Sequence, residues 1–177
     1  LTEQEDVIWG FDFLDEKRII FTERKGAVKI LNLADKSVFS VSGAPKVWAE
    51  GQGGLLDVRV LPGKRDQIYI TYSVPVGKED ATTALGLATL NKNELQGFKK
   101  LFVALEPSDE EVHFGSRIEF DGKGHLFFAM GDRNARPKVL NLNFHNGKML
   151  RLNLDGSIPN DNPYSNIKDA KPEIWSY

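Results

Sequence analysis

The sequence predicts an all-β protein built from β-propeller blades, and three observations support that prediction. Short apolar and β-branched runs alternate with tight polar turns, and helical periodicity is scarce along the 177 residues. A pattern of strand, tight turn, strand, loop and strand occurs three times. The corresponding residues Ile19, Ile68 and Leu126 are 49 and 58 positions apart. Four-stranded units that repeat at about 40 to 50 residues are typical of propeller blades.

Each copy supplies three predicted strands, and the first two copies add a fourth, outer strand. The strands of the first copy cover residues 9–13, 18–23, 27–33 and 37–41. Those of the second cover 56–60, 67–72, 85–90 and 101–105, and those of the third cover 117–120, 125–130 and 148–154. A tight polar turn separates the first two strands of every copy. The blades therefore span about 1–50, 51–110 and 111–177.

A β-sandwich is the structural alternative, since it also contains many short strands. The in-register repeat favours blades. Because complete propellers have roughly 4 to 8 blades, we interpret residues 1–177 as the N-terminal half of a single longer propeller domain. Three blades alone expose open sheet edges and an apolar flank. We therefore expect the missing C-terminal half to cover them, or the chain to self-associate through them.

Composition excludes several classes of function. The net charge is -2 and 27% of the residues are charged, which indicates neither nucleic acid nor an anionic membrane as a partner. The longest apolar runs are only a few residues, so no membrane span is expected. The chain has no cysteine, which excludes disulfides, thiol nucleophiles and cysteine metal sites. Three histidines are too few to favour a histidine-rich zinc site.

The third copy contains the clearest chemical signal. Two antiparallel strands joined by a tight turn begin and end at the same edge of a sheet. His113 stands at the entrance of the predicted hairpin and Asp132 at its exit, so the two side chains are expected to lie together on one rim. A carboxylate beside an imidazole fixes its tautomer and supports it as a general base.

The same rim is predicted to collect further polar residues. Gln52 precedes a first strand as His113 does, and Glu23 follows a second strand as Asp132 does. The loop between second and third strands lengthens from copy to copy, covering residues 24–26, 74–83 and 133–147. Insertions on one face of a repeat array usually build the binding face.

A set of short motifs occurs in order along nearly the whole chain. They are Trp9-Gly10, Thr22-Glu23-Arg24 with Gly26, residues 50–57, His113 to Arg117, Gly131-Asp132, residues 147–152, residues 155–163 and residues 173–177. In these motifs the sequence resembles the soluble pyrroloquinoline-quinone-dependent aldose sugar dehydrogenases, the glucose/sorbosone dehydrogenase family.

The resemblance implies a six-bladed propeller with the quinone lying flat on its top face. It implies that His113 removes the proton of the anomeric hydroxyl, that Asp132 orients His113, and that hydride passes to the quinone as the aldose becomes a lactone. Gln52 and His113 are then cofactor-contacting residues. Gln52 and Arg133 are candidate substrate-binding residues, with solvated loop charge as the alternative for Arg133. The cofactor would carry the redox step.

The resemblance also implies what these residues do not supply. In the family, an arginine and an asparagine that grip the cofactor, and the calcium ligands, come from later segments. No metal ligand is assigned here: Asp155 and residues 160–162 lack EF-hand spacing and are interpreted as turn residues. We therefore expect half a site that is inactive alone. Val112 replaces an acidic residue that some glucose-oxidising members carry, which puts glucose preference in doubt.

Family membership would further imply a periplasmic or secreted protein that passes electrons to an external acceptor. Two other functions fit a propeller scaffold. One is a non-catalytic module that binds carbohydrate or protein. The other is a lactonase-type hydrolase with a rim metal, which needs several convergent oxygen ligands. The joint presence of Gln52, His113 and Asp132 favours the dehydrogenase. His125 and His145 have no evident partners in the sequence and are assigned no role.

Overall fold

The computed structural model describes residues 6–177 and contains three four-stranded antiparallel sheets. Their strands follow one another in chain order, as expected for successive β-propeller blades. Sheet 1 comprises β1 (Ile8–Asp15), β2 (Arg18–Glu23), β3 (Val28–Asn32) and β4 (Val38–Val41). Sheet 2 comprises β5 (Leu55–Leu61), β6 (Lys64–Val76), β7 (Asp80–Asn91) and β8 (Glu94–Val103). Sheet 3 comprises β9 (Gly115–Phe120), β10 (His125–Met130), β11 (Met149–Asn153) and β12 (Ile174–Ser176).

The all-β prediction and the strand order are thereby confirmed, and local chemistry explains the turns. The β9–β10 turn closes on Asp121, whose Oδ1 accepts hydrogen bonds from the Lys123 and His125 amides at 2.7 and 3.0 Å. The β1–β2 turn closes in the same way on Asp15, which accepts from the Lys17 amide at 2.9 Å. Short polar side chains thus replace the ladder at the points where the chain reverses.

Within residues 6–177 the sheets stack face to face through two large apolar cores, and a third, smaller cluster contains Leu56, Ala81 and Phe114. One core lies between sheets 1 and 2 and includes Ile20, Ile30, Val58 and Ile70. The other joins sheets 2 and 3 through residues such as Leu85, Ile118, Phe128 and Leu150. β1 contacts β5, and β5 contacts β9, so the first strands form the inner row of the stack.

Buried or half-buried carboxylates bridge neighbouring inner strands. Asp12 Oδ2 accepts a hydrogen bond from the Val60 amide at 2.8 Å, and Asp57 Oδ2 accepts one from the Ile118 amide at 2.9 Å. These bonds satisfy amides that have no ladder partner along the inner row. They also fix how far each sheet is shifted along the strand direction relative to the next sheet. The positions of the loops at the strand ends follow from this.

Sheet 2 departs from the sequence prediction in two places. Residues 74–83 were predicted to be a loop, but β6 and β7 continue until only residues 77–79 form a turn. Thr82 and Thr83 are buried in that extension, and β-branched residues favour an extended ladder. The outer strand β8 begins at Glu94, whereas the sequence predicted it only from residue 101.

The two outermost sheet faces expose apolar side chains. Phe11 and Phe13, 56% and 55% exposed, lie on the face of sheet 1 that points away from sheet 2. Met149 and Trp175, each 40% exposed, lie on the corresponding face of sheet 3. No helix in residues 6–177 is long and apolar enough to cross a membrane.

Candidate active site

The hairpin of β9 and β10 brings His113 and Asp132 together, as its antiparallel geometry requires. Met130, the last residue of β10, pairs with Gly115, the first residue of β9. The loops that continue from these residues therefore lie side by side. His113 Nδ1 is 2.8 Å from Asp132 Oδ1, and 47% of the His113 side chain is exposed on the rim.

This hydrogen bond determines what the imidazole can do. A carboxylate oxygen accepts only, so Nδ1 carries the proton and Nε2 is left with a lone pair. The bond from His113 holds the pKa of Asp132 below its usual range, and the Asn134 amide adds a second donor at 3.1 Å. Asp132 is therefore an anion under ordinary conditions, and His113 presents an accessible base.

Gln52 joins the same group from the second sheet. Its Oε1 accepts a hydrogen bond from the backbone amide of His113 at 2.9 Å, and the backbone amide of Gln52 donates to the Glu111 carbonyl at 2.8 Å. These two bonds tie the loop before β5 to the loop before β9. Within residues 6–177, Gln52 Nε2 and His113 Nε2 make no hydrogen bond to protein, so both groups face the open rim.

Two glycines make the close approach of the loops possible. A Cβ on Gly131 would overlap the His113 carbonyl oxygen, so only glycine fits there. Gly115 has φ +71°, and a Cβ there would lie 2.7 Å from the Gly131 nitrogen. His113 itself has φ +56°, a conformation that costs about 1–3 kcal/mol and is concentrated at functional sites.

Arg24 holds the loop that carries Gln52. Its Nη1 donates to the carbonyls of Ala49 and Gly51 at 2.8 and 2.9 Å. Its carbonyl accepts from the Leu55 amide at 3.0 Å, at the start of β5. Glu23, which precedes it, ends β2 at this rim as predicted, but its side chain is buried and pairs with Lys29 at 2.8 Å. Glu23 is therefore structural in these residues.

Arg133 does not lie where the sequence suggested. The residue is only 4% exposed, and its guanidinium lies 3.6 Å from the centre of the Phe114 ring. The alternative of a solvated loop charge requires an exposed guanidinium, and this burial contradicts it. The predicted contact of Arg133 with substrate stays a prediction. The residue has φ +51°, and its guanidinium donates to Ser108 and Glu110.

An open pocket of about 230 Å³ adjoins the rim on the inner side. Trp9, Gln52, Phe114 and Arg117 contribute to its lining. The Arg117 side chain is 71% exposed, and its Nη1 donates to the buried Asp57 at 3.0 Å. Arg117 was not predicted as a site residue. The available signal was a basic residue near the start of an inner strand, four residues after His113.

The other two histidines have partners that the sequence did not reveal. His125 Nδ1 is 2.6 Å from Asp121, and His145 lies 3.5 Å from both Glu106 and Glu173. Within residues 6–177, no group of three or more histidine or acidic side chains could hold a metal ion.

The acidic and amide residues that lack EF-hand spacing have structural roles. Asp155 Oδ1 accepts from the Ser157 amide at 2.9 Å, within the turn after β11. Asp161 pairs with Arg151 at 2.9 Å, and Asn162 donates to the Arg151 and Pro172 carbonyls. The side chains of Asp155, Asp161 and Asn162 therefore make contacts within the protein, and residues 160 and 161 lie in a turn.

Comparison with known proteins places this geometry in a family. The family model described as glucose/sorbosone dehydrogenase matches residues 5–177. The chain belongs to this family. The aldose sugar dehydrogenase of Escherichia coli strain K12 is 37% identical over 182 residues, which cover 100% of this chain and 49% of that protein. Quinoprotein glucose dehydrogenase B of Acinetobacter calcoaceticus is 29% identical, over 94% of this chain and 40% of that protein.

Solved structures of two aldose sugar dehydrogenases share the fold. The soluble aldose sugar dehydrogenase of Escherichia coli, in its apo form, matches with a TM-score of 0.91 and 36% identity, over 96% of this chain and 50% of that chain. A pyrroloquinoline-quinone-bound aldose sugar dehydrogenase of Streptomyces coelicolor matches with a TM-score of 0.81 at 18% identity, a likeness of fold alone. The chain spans about half the length of the curated relatives it matches.

The rim of this family member is chemically suited to part of a quinone site. A quinone offers carbonyl oxygens, and the substrate offers hydroxyl groups. The side-chain nitrogen Nε2 of Gln52 is an exposed donor, and Nε2 of His113 is an exposed acceptor beside it. The rim of residues 6–177 therefore fits the reacting end of such a cofactor.

Proposed function

We propose that the natural protein to which this chain belongs is a pyrroloquinoline-quinone-dependent aldose dehydrogenase that oxidises sugars at the anomeric carbon to the lactone. The main support for this proposal is the 2.8 Å contact between His113 Nδ1 and Asp132 Oδ1, which leaves Nε2 of His113 open to the rim. Family membership and the 37% identity to an aldose sugar dehydrogenase support the same activity.

His113 acts as the general base of this reaction. Its Nε2 accepts the proton of the anomeric hydroxyl, while Asp132 holds the ring in the productive tautomer and stabilises the imidazolium. The anomeric carbon loses a hydride as its oxygen loses the proton, so the C–O bond becomes a carbonyl. When bound, pyrroloquinoline quinone supplies the acceptor for that hydride.

Gln52 links the base to the cofactor and substrate side of the rim. Its Oε1 fixes the His113 backbone, and its Nε2 is free to donate to a cofactor or sugar oxygen. Such a donor orients the hydroxyl toward the imidazole and contributes by proximity. Arg24 supports this role because it holds the Gln52 loop through two carbonyls.

The proposal includes groups beyond these residues. The remaining cofactor grip, the calcium ligands and three further blades would come from segments outside the 177 residues, and residues 1–177 alone would be inactive. An external acceptor would reoxidise the cofactor. Export to the periplasm or the medium follows from the same family resemblance and belongs to the proposal.

A substitution at His113 tests the proposal in the full-length protein reconstituted with calcium and cofactor. We expect aldose to reduce the bound quinone, monitored by its absorbance, and His113→Gln to slow reduction by about 100-fold or more, the range for loss of a general base. His125→Gln is the matched control, since His125 also pairs with an aspartate but lies at the opposite end of β10.

The outcomes separate the candidate functions. Normal reduction by the His113→Gln protein would remove His113 as the base. Cofactor binding without reduction by any aldose would exclude the dehydrogenase. Absence of cofactor binding would leave the non-catalytic binding module.

A further inference from the structure

We propose that Arg133 is a positioning residue that locks the loop of residues 108–113 against the turn carrying Asp132, and so fixes the His113–Asp132 hydrogen bond. This inference rests on the proposed function for its catalytic consequence. Its structural content stands on the contacts of Arg133 alone.

The guanidinium of Arg133 holds the loop that leads into His113. Its Nη2 donates to the Ser108 Oγ at 3.2 Å, to the Ser108 carbonyl at 3.4 Å and to the Glu110 carbonyl. Ser108 is in turn bridged to Ala81 by two backbone hydrogen bonds of 2.9 and 3.1 Å. The cation therefore joins the loop before β9 to a point already anchored on sheet 2.

The same guanidinium packs against the residue that follows the base. Its central carbon is 3.6 Å from the centre of the Phe114 ring, and Phe114 is only 2% exposed. The Phe114 carbonyl accepts from the Gly131 amide at 3.1 Å. Arg133 thus contacts the chain on both sides of His113, at Glu110 and at Phe114.

The Asp132 side of the contact is equally constrained. Arg133 and Asn134 have φ of +51° and +55°, so the chain turns sharply just after the carboxylate. Asn134 Nδ2 donates to Glu110 Oε2 at 2.9 Å, and the Ala135 amide donates to the Asp132 carbonyl at 2.8 Å. Two successive residues of this turn therefore hold the loop that carries the base.

Stability alone does not explain this placement. Within residues 6–177, Nε and Nη1 of Arg133 are buried without an acceptor, and burial lowers the pKa of Arg133 to about 10. Burying a cation with unsatisfied donors costs stability. An apolar side chain would fill the volume more favourably, but it could not donate to Ser108 and Glu110. The arrangement is explained by the geometry it imposes on His113.

Two variants of the full-length protein test the assignment: Arg133→Met, which keeps the length, and Arg133→Lys, which keeps the charge but loses the planar fork. Imidazole nitrogen chemical shifts measured by NMR report the His113 tautomer and need no activity. We expect both variants to move His113 from the Nδ1-protonated form toward a mixture. We expect kcat for aldose oxidation to fall by about 10- to 100-fold, as for a misplaced base, with KM within about twofold.

Arg151→Met is the matched control. Arg151 is also buried, at 6% exposure, pairs with Asp161 and lies 5.0 Å from the Trp175 ring, but it belongs to β11. We expect it to lower Tm without changing the His113 tautomer or kcat. If Arg133→Met does not fold, the Arg133→Lys protein decides the question.

A rise in KM with kcat and the tautomer unchanged would overturn the proposal and return Arg133 to the substrate. An unchanged tautomer in both variants would overturn it as well. If the unsubstituted protein shows no dehydrogenase activity, the function fails, and the tautomer shift still decides the positioning role.

Discussion

A single proton on His113 determines whether the rim can act on a hydroxyl group. With the proton on Nδ1, facing Asp132 at 2.8 Å, the exposed nitrogen is an acceptor. With the proton on Nε2, the exposed nitrogen would be a donor and could not remove a proton. In the proposed reaction Asp132 is therefore as important as His113. Its carboxylate is 23% exposed and faces the imidazole.

Asp132→Asn tests this dependence. Asparagine keeps the shape, but it can donate to Nδ1 and select the wrong tautomer, and it carries no charge to stabilise imidazolium. We expect kcat in the full-length protein to fall by about 100-fold or more, while KM changes little. Steady-state kinetics with a fixed aldose would check it. Full activity in the asparagine variant would show that the pair is structural.

At the scale of elements, a buried histidine ties sheet 3 to the loops around it. His145 is 1% exposed and lies between Glu106, which follows β8, and Glu173, which precedes β12, with 3.5 Å to each. Burial alone disfavours imidazolium, but the two carboxylates outweigh it and raise the pKa of His145. Burial alone would raise the pKa of each glutamate, and the contacts with His145 outweigh it and lower both values.

The stability of the protein should therefore depend on pH through this cluster. The raised pKa of His145 contributes stability that is complete below its ordinary value near 6.5 and is lost as pH rises through the folded value. Between about pH 6 and 9 we expect the natural protein to lose more of its Tm than His145→Gln does, because only the natural protein has an imidazole that loses its proton there.

Thermal unfolding at several pH values would measure this difference. His125→Gln, which removes the pair of His125 with Asp121, should retain the pH dependence of the natural protein. Parallel Tm curves for the natural protein and His145→Gln would contradict the prediction. As pH falls through the lowered pKa values of Glu106 and Glu173, the glutamates protonate, and the natural protein should lose stability there as well.

The local parts of the site were predictable from sequence, and the long-range parts were not. His113 and Asp132 belong to one hairpin, so strand pairing alone places them together. The burial of Arg133 depends on Ser108 and Glu110, 25 and 23 residues away, and no periodic pattern records such docking. The partners of His145 are 39 and 28 residues away and escaped prediction for the same reason.

At the scale of the whole molecule, the three sheets expose their outer faces. Phe11 and Phe13 on sheet 1 and Trp175 on sheet 3 are 56%, 55% and 40% exposed. In a propeller each of these faces packs against a neighbouring blade, so both faces of the stack need a partner. In a polypeptide of residues 1–177 alone, the exposed face of sheet 1 in one copy can pack against the exposed face of sheet 3 in another copy.

We therefore expect a polypeptide of residues 1–177 to self-associate in sedimentation velocity at micromolar concentration. Removing the aromatic surface with Phe11→Glu and Phe13→Lys together should shift the population toward monomer. Lys36→Glu and Lys92→Glu, at positive-φ turn positions, are surface controls and should leave association unchanged. A monomeric, cooperatively unfolding polypeptide across the concentration range would contradict the expectation.

The contacts of Gln52 and Asp132 with His113 differ in sequence separation. His113 and Asp132 are 19 residues apart, so their bond closes within one hairpin and can form early in folding. Gln52 is 61 residues from His113 and reaches it only after sheets 2 and 3 have docked. A transient separation of these sheets would break the contact between Gln52 and His113, whereas the bond between His113 and Asp132 lies within one hairpin and does not depend on strand pairing between sheets. Gln52 protects the backbone N–H of His113 from hydrogen exchange. The exchange rate of this N–H would therefore measure how often the two blades separate.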